Sequence, residues 1–178
     1  MPNDATIEPV LPPDIHYLNG ALGWLELGNT QEAAAELERI PSRSRLLFEV
    51  LSVEWRIRAS QRDWPAAFGV AQRLVALYPG QSCGWINQSY SLHEMNRTAE
   101  ARDLLLSRSE PFSDNCIIPY NLACYECQLG NHDQALEWLS QAAALGDREK
   151  IIEMALSEHD LRPLRDKVKD WAASRADI

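Results

Sequence analysis

The chain has 178 residues, 46% of them hydrophobic and 24% charged, with 26 acidic against 17 basic residues and a net charge of −9. That length and balance suit one folded domain and argue against a disordered chain. The sign of the charge disfavours nucleic acid and anionic membrane surfaces as partners, since both are polyanions, and no stretch reaches the roughly 20 apolar residues that span a bilayer.

Residues 1–13 hold Pro2, Pro9, Pro12 and Pro13 and read as an extended arm. This segment has neither the basic n-region nor the apolar h-region of a secretory signal. Cys83, Cys116, Cys124 and Cys127 are therefore expected as reduced thiols in a cytoplasmic protein.

From residue 14 onward a period governs the chain. Ala33, Ala67, Ala101 and Ala135 stand 34 residues apart in turn, with no insertion between them. Five residues before each alanine comes Gly28, Arg62, Asn96 or Gly130, a position suited to a left-handed turn, at which Arg62 is the weak member. Four residues after each alanine comes Leu37, Ala71, Leu105 or Leu139. A small residue followed one turn later by an apolar one lets two helices pack closely. The spacing predicts helix pairs at about 15–27 and 30–40, 47–61 and 64–77, 82–94 and 97–108, and 117–129 and 132–145. A ninth helix is expected around Ile151, Ile152, Ala155 and Leu156. A last amphipathic helix follows on Leu161, Leu164, Val168 and Trp171, with Asp160 as its N-cap and Pro163 in its first turn.

The segment Leu122 to Leu136 resembles a tetratricopeptide repeat through most of its length, and so does Gly69 to Pro79, where Pro79 breaks the second helix. Trp85 is similar to the early tryptophan of the family's first helix. Glu54, Trp55, Pro111 and Pro119 depart from the pattern. The resemblance implies an all-α fold, a right-handed α-solenoid of antiparallel helix pairs. It divides the chain into an arm (1–13), four repeats (about 14–47, 48–81, 82–115 and 116–147) and capping helices (148–178) that cover the last apolar face.

In that family the first helix of each pair lines a concave groove, which implies a protein-interaction module that binds a peptide or partner segment as scaffold, adaptor or chaperone-like subunit. The implied stripe is Ile15, Leu18, Leu22 and Leu25, then Glu49, Ser52, Arg56 and Ala59, then Cys83, Ile86, Tyr90 and His93, then Ile117, Tyr120, Cys124 and Cys127. With one carboxylate and one arginine, such a stripe suits an extended or helical peptide with apolar anchors. Asn19, Asn87 and Asn121 recur at one repeat position, where an amide can donate and accept to a ligand backbone; bonding within the scaffold is the rival reading. Arg56 could meet one acidic group, Ile86 an apolar side chain, and Tyr90 and Tyr120 would serve as amphipathic anchors. The family's carboxylate clamp is not expected, because Leu18 and Leu22 occupy two of its positions.

Chemistry finds little footing. Cys124 and Cys127 form a C-x-x-C, but in mid-helix, and Cys83 and His93 lie nearly three turns apart, so one zinc ion is hard to share. No nucleotide loop or hydrolase motif occurs. No cofactor, metal or catalytic group is expected. Trp24, Trp55, Trp64, Trp85 and Trp138 are expected in the packing between helices. The alternative function is a self-assembling structural protein, a homo-oligomer joined through the arm or the solenoid ends, and behind it a metal or redox site around Cys124, Cys127 and His93.

Overall fold

The computed structural model describes residues 7–173, so residues 1–6 of the expected arm and 174–178 of the expected cap lie outside it. Among the described residues there are ten α-helices and no strand. They are α1 (Asp14–Glu26), α2 (Thr30–Glu38), α3 (Phe48–Ser60), α4 (Trp64–Leu77), α5 (Ser82–Glu94), α6 (Thr98–Leu106), α7 (Ile117–Gln128), α8 (His132–Leu145), α9 (Arg148–Ser157) and α10 (Arg165–Ala173), with a 3-10 turn at Arg162–Leu164 before the last. The first eight fall within two residues of the bounds that the spacing predicts. The chain forms two compact units, Met1–Ser91 and Leu92–Ile178.

One turn recurs at the four positions where the period calls for it. Gly28, Arg62, Asn96 and Gly130 have φ of 74°, 56°, 61° and 85°. At each, the left-handed residue donates its N–H three residues back, as in Gly28 to Leu25 at 3.0 Å and Gly130 to Cys127 at 3.0 Å. The residue after it donates five back: Asn29 to Trp24, Asp63 to Arg58, Arg97 to Leu92 and Asn131 to Glu126, at 2.8–3.0 Å. This pair of bonds satisfies carbonyls that a helix end otherwise leaves open, and it reverses the chain. Two of those following residues also start the next helix: Asn29 and Asp63 accept from the backbone N–H of Glu32 and Ala66.

The reversal lays each second helix on its predecessor through the alanine of the period. Ala33, Ala67, Ala101 and Ala135 are fully buried, and Leu37, Ala71, Leu105 and Leu139 are buried beside them. In the first unit, α2 packs on α1 and α3 and α3 on α4, around Leu18, Ala21, Leu37, Ile40, Val50 and Ile57. Val10 of the expected arm enters this core at 5% exposure. Asp14, buried in the first turn of α1, accepts from the Ser44 hydroxyl and so ties α1 to the α2–α3 connection. Gly84 brings α5 down on α4, where a Cβ would lie 3.1 Å from the Leu74 Cβ and from the Val75 amide nitrogen.

In the second unit, α7 packs on α6 and α8, α8 on α9, and α9 on α10. Leu161, Leu164 and Val168 are buried, as the amphipathic spacing requires. Asp160 does not cap the last helix, because its carboxylate is taken by His93. Trp24 also departs from expectation: it is exposed, whereas Trp55, Trp64, Trp85 and Trp138 are half-buried.

A side chain in the left-handed region costs about 1–2 kcal/mol, of which glycine's larger unfolded-state entropy takes back part. Replacing Arg62 by Gly should therefore raise the urea unfolding free energy by about 1 kcal/mol, and Gly130→Ala should lower it by about 1 kcal/mol. Leu139→Ala should cost about 2–5 kcal/mol on the same measurement, whereas Leu27→Ala at an exposed site should change it by less than about 0.5 kcal/mol.

Candidate functional site

The first unit brings part of the implied stripe together at the meeting of α3 and α5. The Trp55 indole N–H donates to the Ser91 hydroxyl at 3.1 Å, which itself donates to the Asn87 carbonyl at 2.8 Å. Tyr90 packs edge-on against Trp55 and Trp64, with ring centres 6.2 and 5.7 Å apart. One turn from Asn87, the Cys83 thiol lies within hydrogen-bond reach of Ser52 on α3 and of the Asn87 amide, the latter at 3.5 Å. Burial outweighs both bonds and pushes the Cys83 thiol up, so it stays protonated.

Around this cluster Ile86, Asn87 and Tyr90 are half-buried, while Arg56 is exposed. The Arg56 guanidinium has no hydrogen bond or ion pair among the described residues. Apart from the long contact to sulfur, the side-chain amide of Asn87 makes no hydrogen bond among the described residues. Asn19 on α1 is exposed, and its amide makes no hydrogen bond among the described residues. Leu18, by contrast, belongs to the core at 3% exposure and leaves the stripe. Tyr90 is a shared case, because its ring is half spent on the two tryptophans.

The second unit treats its part of the stripe differently. Tyr120, Cys124 and Cys127 are buried at 5%, 5% and 3% exposure. The turn between α9 and the 3-10 segment lies over them: Gln128 donates to the Asp160 carbonyl at 2.9 Å, and the Asp160 carboxylate meets His93 Nε2 at 2.8 Å. His93 Nδ1 in turn bonds Thr98 at 3.0 Å, and its ring leans on Tyr125 with centres 5.0 Å apart. Tyr120 therefore offers no ligand surface; it is covered by the chain's own C-terminal turn. Asn121, the next residue, is half-buried, with no hydrogen bond from its amide among the described residues.

The same cover decides the thiol chemistry. Burial, then the Glu158 and Asp160 carboxylates, hold the Cys124 thiol well above its ordinary range, and burial with Asp160 also raises Cys127. Nucleophilic attack and metal binding both need the thiolate, and this surrounding opposes it. No group of three or more Cys, His, Asp and Glu suited to a metal ion occurs among the described residues. No described helix is long and apolar enough to cross a membrane. Nothing in the sequence pointed to His93 as the partner of Asp160, 67 residues away; the two join only because α5 and the C-terminal turn meet. In the native protein at neutral pH, Cys124 should react with a thiol reagent such as dithionitrobenzoate at least about 100-fold more slowly than in urea-unfolded chain, measured by mass spectrometry of the labelled peptides.

No family model matches the chain, and no curated protein matches it. Among solved structures the chain is similar to MamA MSR-1, with a TM-score of 0.60 and 17% identity over 89% of this chain and 96% of that one. It is likewise similar to MamA AMB-1, in one structure at 0.60 and 15% over 90% and 92%, and in another at 0.58 and 16% over 88% and 97%. At such identities the likeness speaks for the fold, and it is that of TPR-like proteins built from adjacent helix pairs.

Proposed function

We propose that this protein is an interaction module whose first unit receives a segment of a partner polypeptide on its first-helix face, as scaffold or adaptor. The observation that supports this most is the α3–α5 cluster. The helix α3 that carries Trp55 into it also carries the exposed, unpaired guanidinium of Arg56, and α5 carries the half-buried Ile86, Asn87 and Tyr90. An amide that can both donate and accept suits a peptide backbone whatever its side chains, and the half-buried apolar groups supply anchor sites. Arg56 adds one charge-assisted contact for an acidic group. Asn19 offers a second exposed amide on α1.

The contact residues on this reading are Asn19, Arg56, Ile86, Asn87 and Tyr90. Tyr120 is withdrawn as a contact because it is buried, and Asn121 remains as a half-buried amide of the second unit. The self-assembly reading has less support. The exposed apolar side chains flanking α1 are divided between Leu11 at its start and Trp24 and Leu27 at its end, about 20 Å apart for a helix of 13 residues, and so do not form one patch.

The test is affinity capture from native lysate with wild type and the Arg56→Ala/Asn87→Ala double variant. Both side chains contribute little to the fold, so the variant should melt within about 3 °C of wild type. Proteins held by wild type should be depleted at least about tenfold on the variant. Equal retention by the two would remove this face as the binding site.

A further inference from the structure

On the opposite side of α3 the first unit holds a cavity of about 170 Å³, lined by Ala34, Leu37 and Glu38 of α2, Arg45 of the connection, Val50, Glu54, Ile57 and Arg58 of α3, and Arg73 of α4. Residues 50, 54, 57 and 58 form one face of that helix. At 100° per residue they lie roughly opposite the face of Glu49, Ser52, Arg56 and Ala59. The cavity is therefore a different surface from the α3–α5 cluster.

Its lining is ordered by polarity. Ala34, Leu37, Val50 and Ile57 make an apolar floor, and the charged residues are Arg45, Arg58, Arg73, Glu38 and Glu54. Three arginines against two carboxylates is a local reversal in a chain of net charge −9. Arg73 and Glu54 pair at 2.8 Å and cancel. Arg45 donates to two backbone carbonyls, of Ile40 at 2.8 Å and Glu38 at 2.6 Å. Those neutral acceptors cap the C-terminal end of α2 and fix the guanidinium without neutralising it. The guanidinium of the half-buried Arg58 has no hydrogen bond or ion pair among the described residues.

We propose that this cavity is a second docking site, for an apolar side chain followed by a carboxylate on a partner polypeptide. The space equals about five or six water volumes, which suits a leucine-sized group. Arg58 and Arg45 supply the positive charge for the acid beside it. A phosphate group fits less well. Phosphates are held by helix N-termini and runs of backbone N–H, which this lining lacks; with Arg73 and Glu54 paired, Arg45, Arg58 and Glu38 leave one net positive charge, which matches a carboxylate better than a dianion. The proposal rests on the reading of the chain as an interaction module and adds the chemistry of one partner segment to it.

The experiment is a nitrogen-15 NMR titration of the full chain with an acetylated, amidated pentapeptide, Ser-Leu-Glu-Glu-Ser. Resonances of Val50, Ile57, Arg58 and Arg73 should move with a Kd near 1 mM or below. Arg58→Gln, or a peptide with both glutamates changed to glutamine, should weaken binding at least about fivefold, while Arg97→Gln, at an exposed ion pair of the second unit, should leave it within about twofold. No movement of those resonances up to about 5 mM peptide, binding unchanged by Arg58→Gln, or inorganic phosphate binding as well as the peptide would each overturn the proposal. Movement confined to residues of the α3–α5 cluster would overturn it too, while leaving the first site standing.

Discussion

The structure depends on a left-handed residue that must appear between the two helices of each hairpin. That residue allows two backbone bonds to close the first helix, and the same stroke points the chain back along itself. Four such turns at the same spacing put four alanines at the same kind of contact, each with no exposed surface. A larger side chain there would hold the helices apart, and the leucine or alanine one turn on would lose its burial. The positive φ at Arg62 shows how strong the constraint is, since arginine, unlike glycine or asparagine, has no local preference for it. Packing across the hairpin overrides the local preference.

Upon that frame the two units spend their first helices differently. In the first, α3 and α5 meet through Trp55, Tyr90 and Ser91, and the polar ends of Asn87 and Arg56 remain outside the contact. In the second, the turn before α10 reaches onto α7, and Asp160 and Gln128 hold it there. The face that could have met a partner meets the chain's own end instead. Burial, aided by Glu158 and Asp160 at Cys124 and by Asp160 at Cys127, keeps these thiols protonated, which makes both packing groups.

Much of this was legible in the residues. Alanines at a fixed spacing, with Gly or Asn five positions before, told both the hairpins and the turn conformation, because a left-handed residue and a close helix contact each demand a narrow set of side chains. Arg62 broke the composition of the turn but not its geometry. What the sequence could not show was which stripe positions stay open. Tyr120 and Tyr90 both fall on the implied stripe, yet one is sealed by a turn some 40 residues further on and the other packs against two tryptophans. Leu18 likewise reads as a groove residue and is core. Such outcomes depend on contacts distant in sequence, which local periodicity does not encode. The arginine-lined cavity was equally hidden, since Arg45, Arg58 and Arg73 come from three elements and share no motif.

The central claim is that a partner polypeptide lies on the α3–α5 face of the first unit. Its most direct test places a photo-crosslinking side chain at position 56, and in a separate chain at exposed position 134 of α8, followed by irradiation in the native cell. The account predicts discrete protein adducts from position 56 and none of the same mass from position 134. Adducts from position 134 with none from position 56 would contradict it.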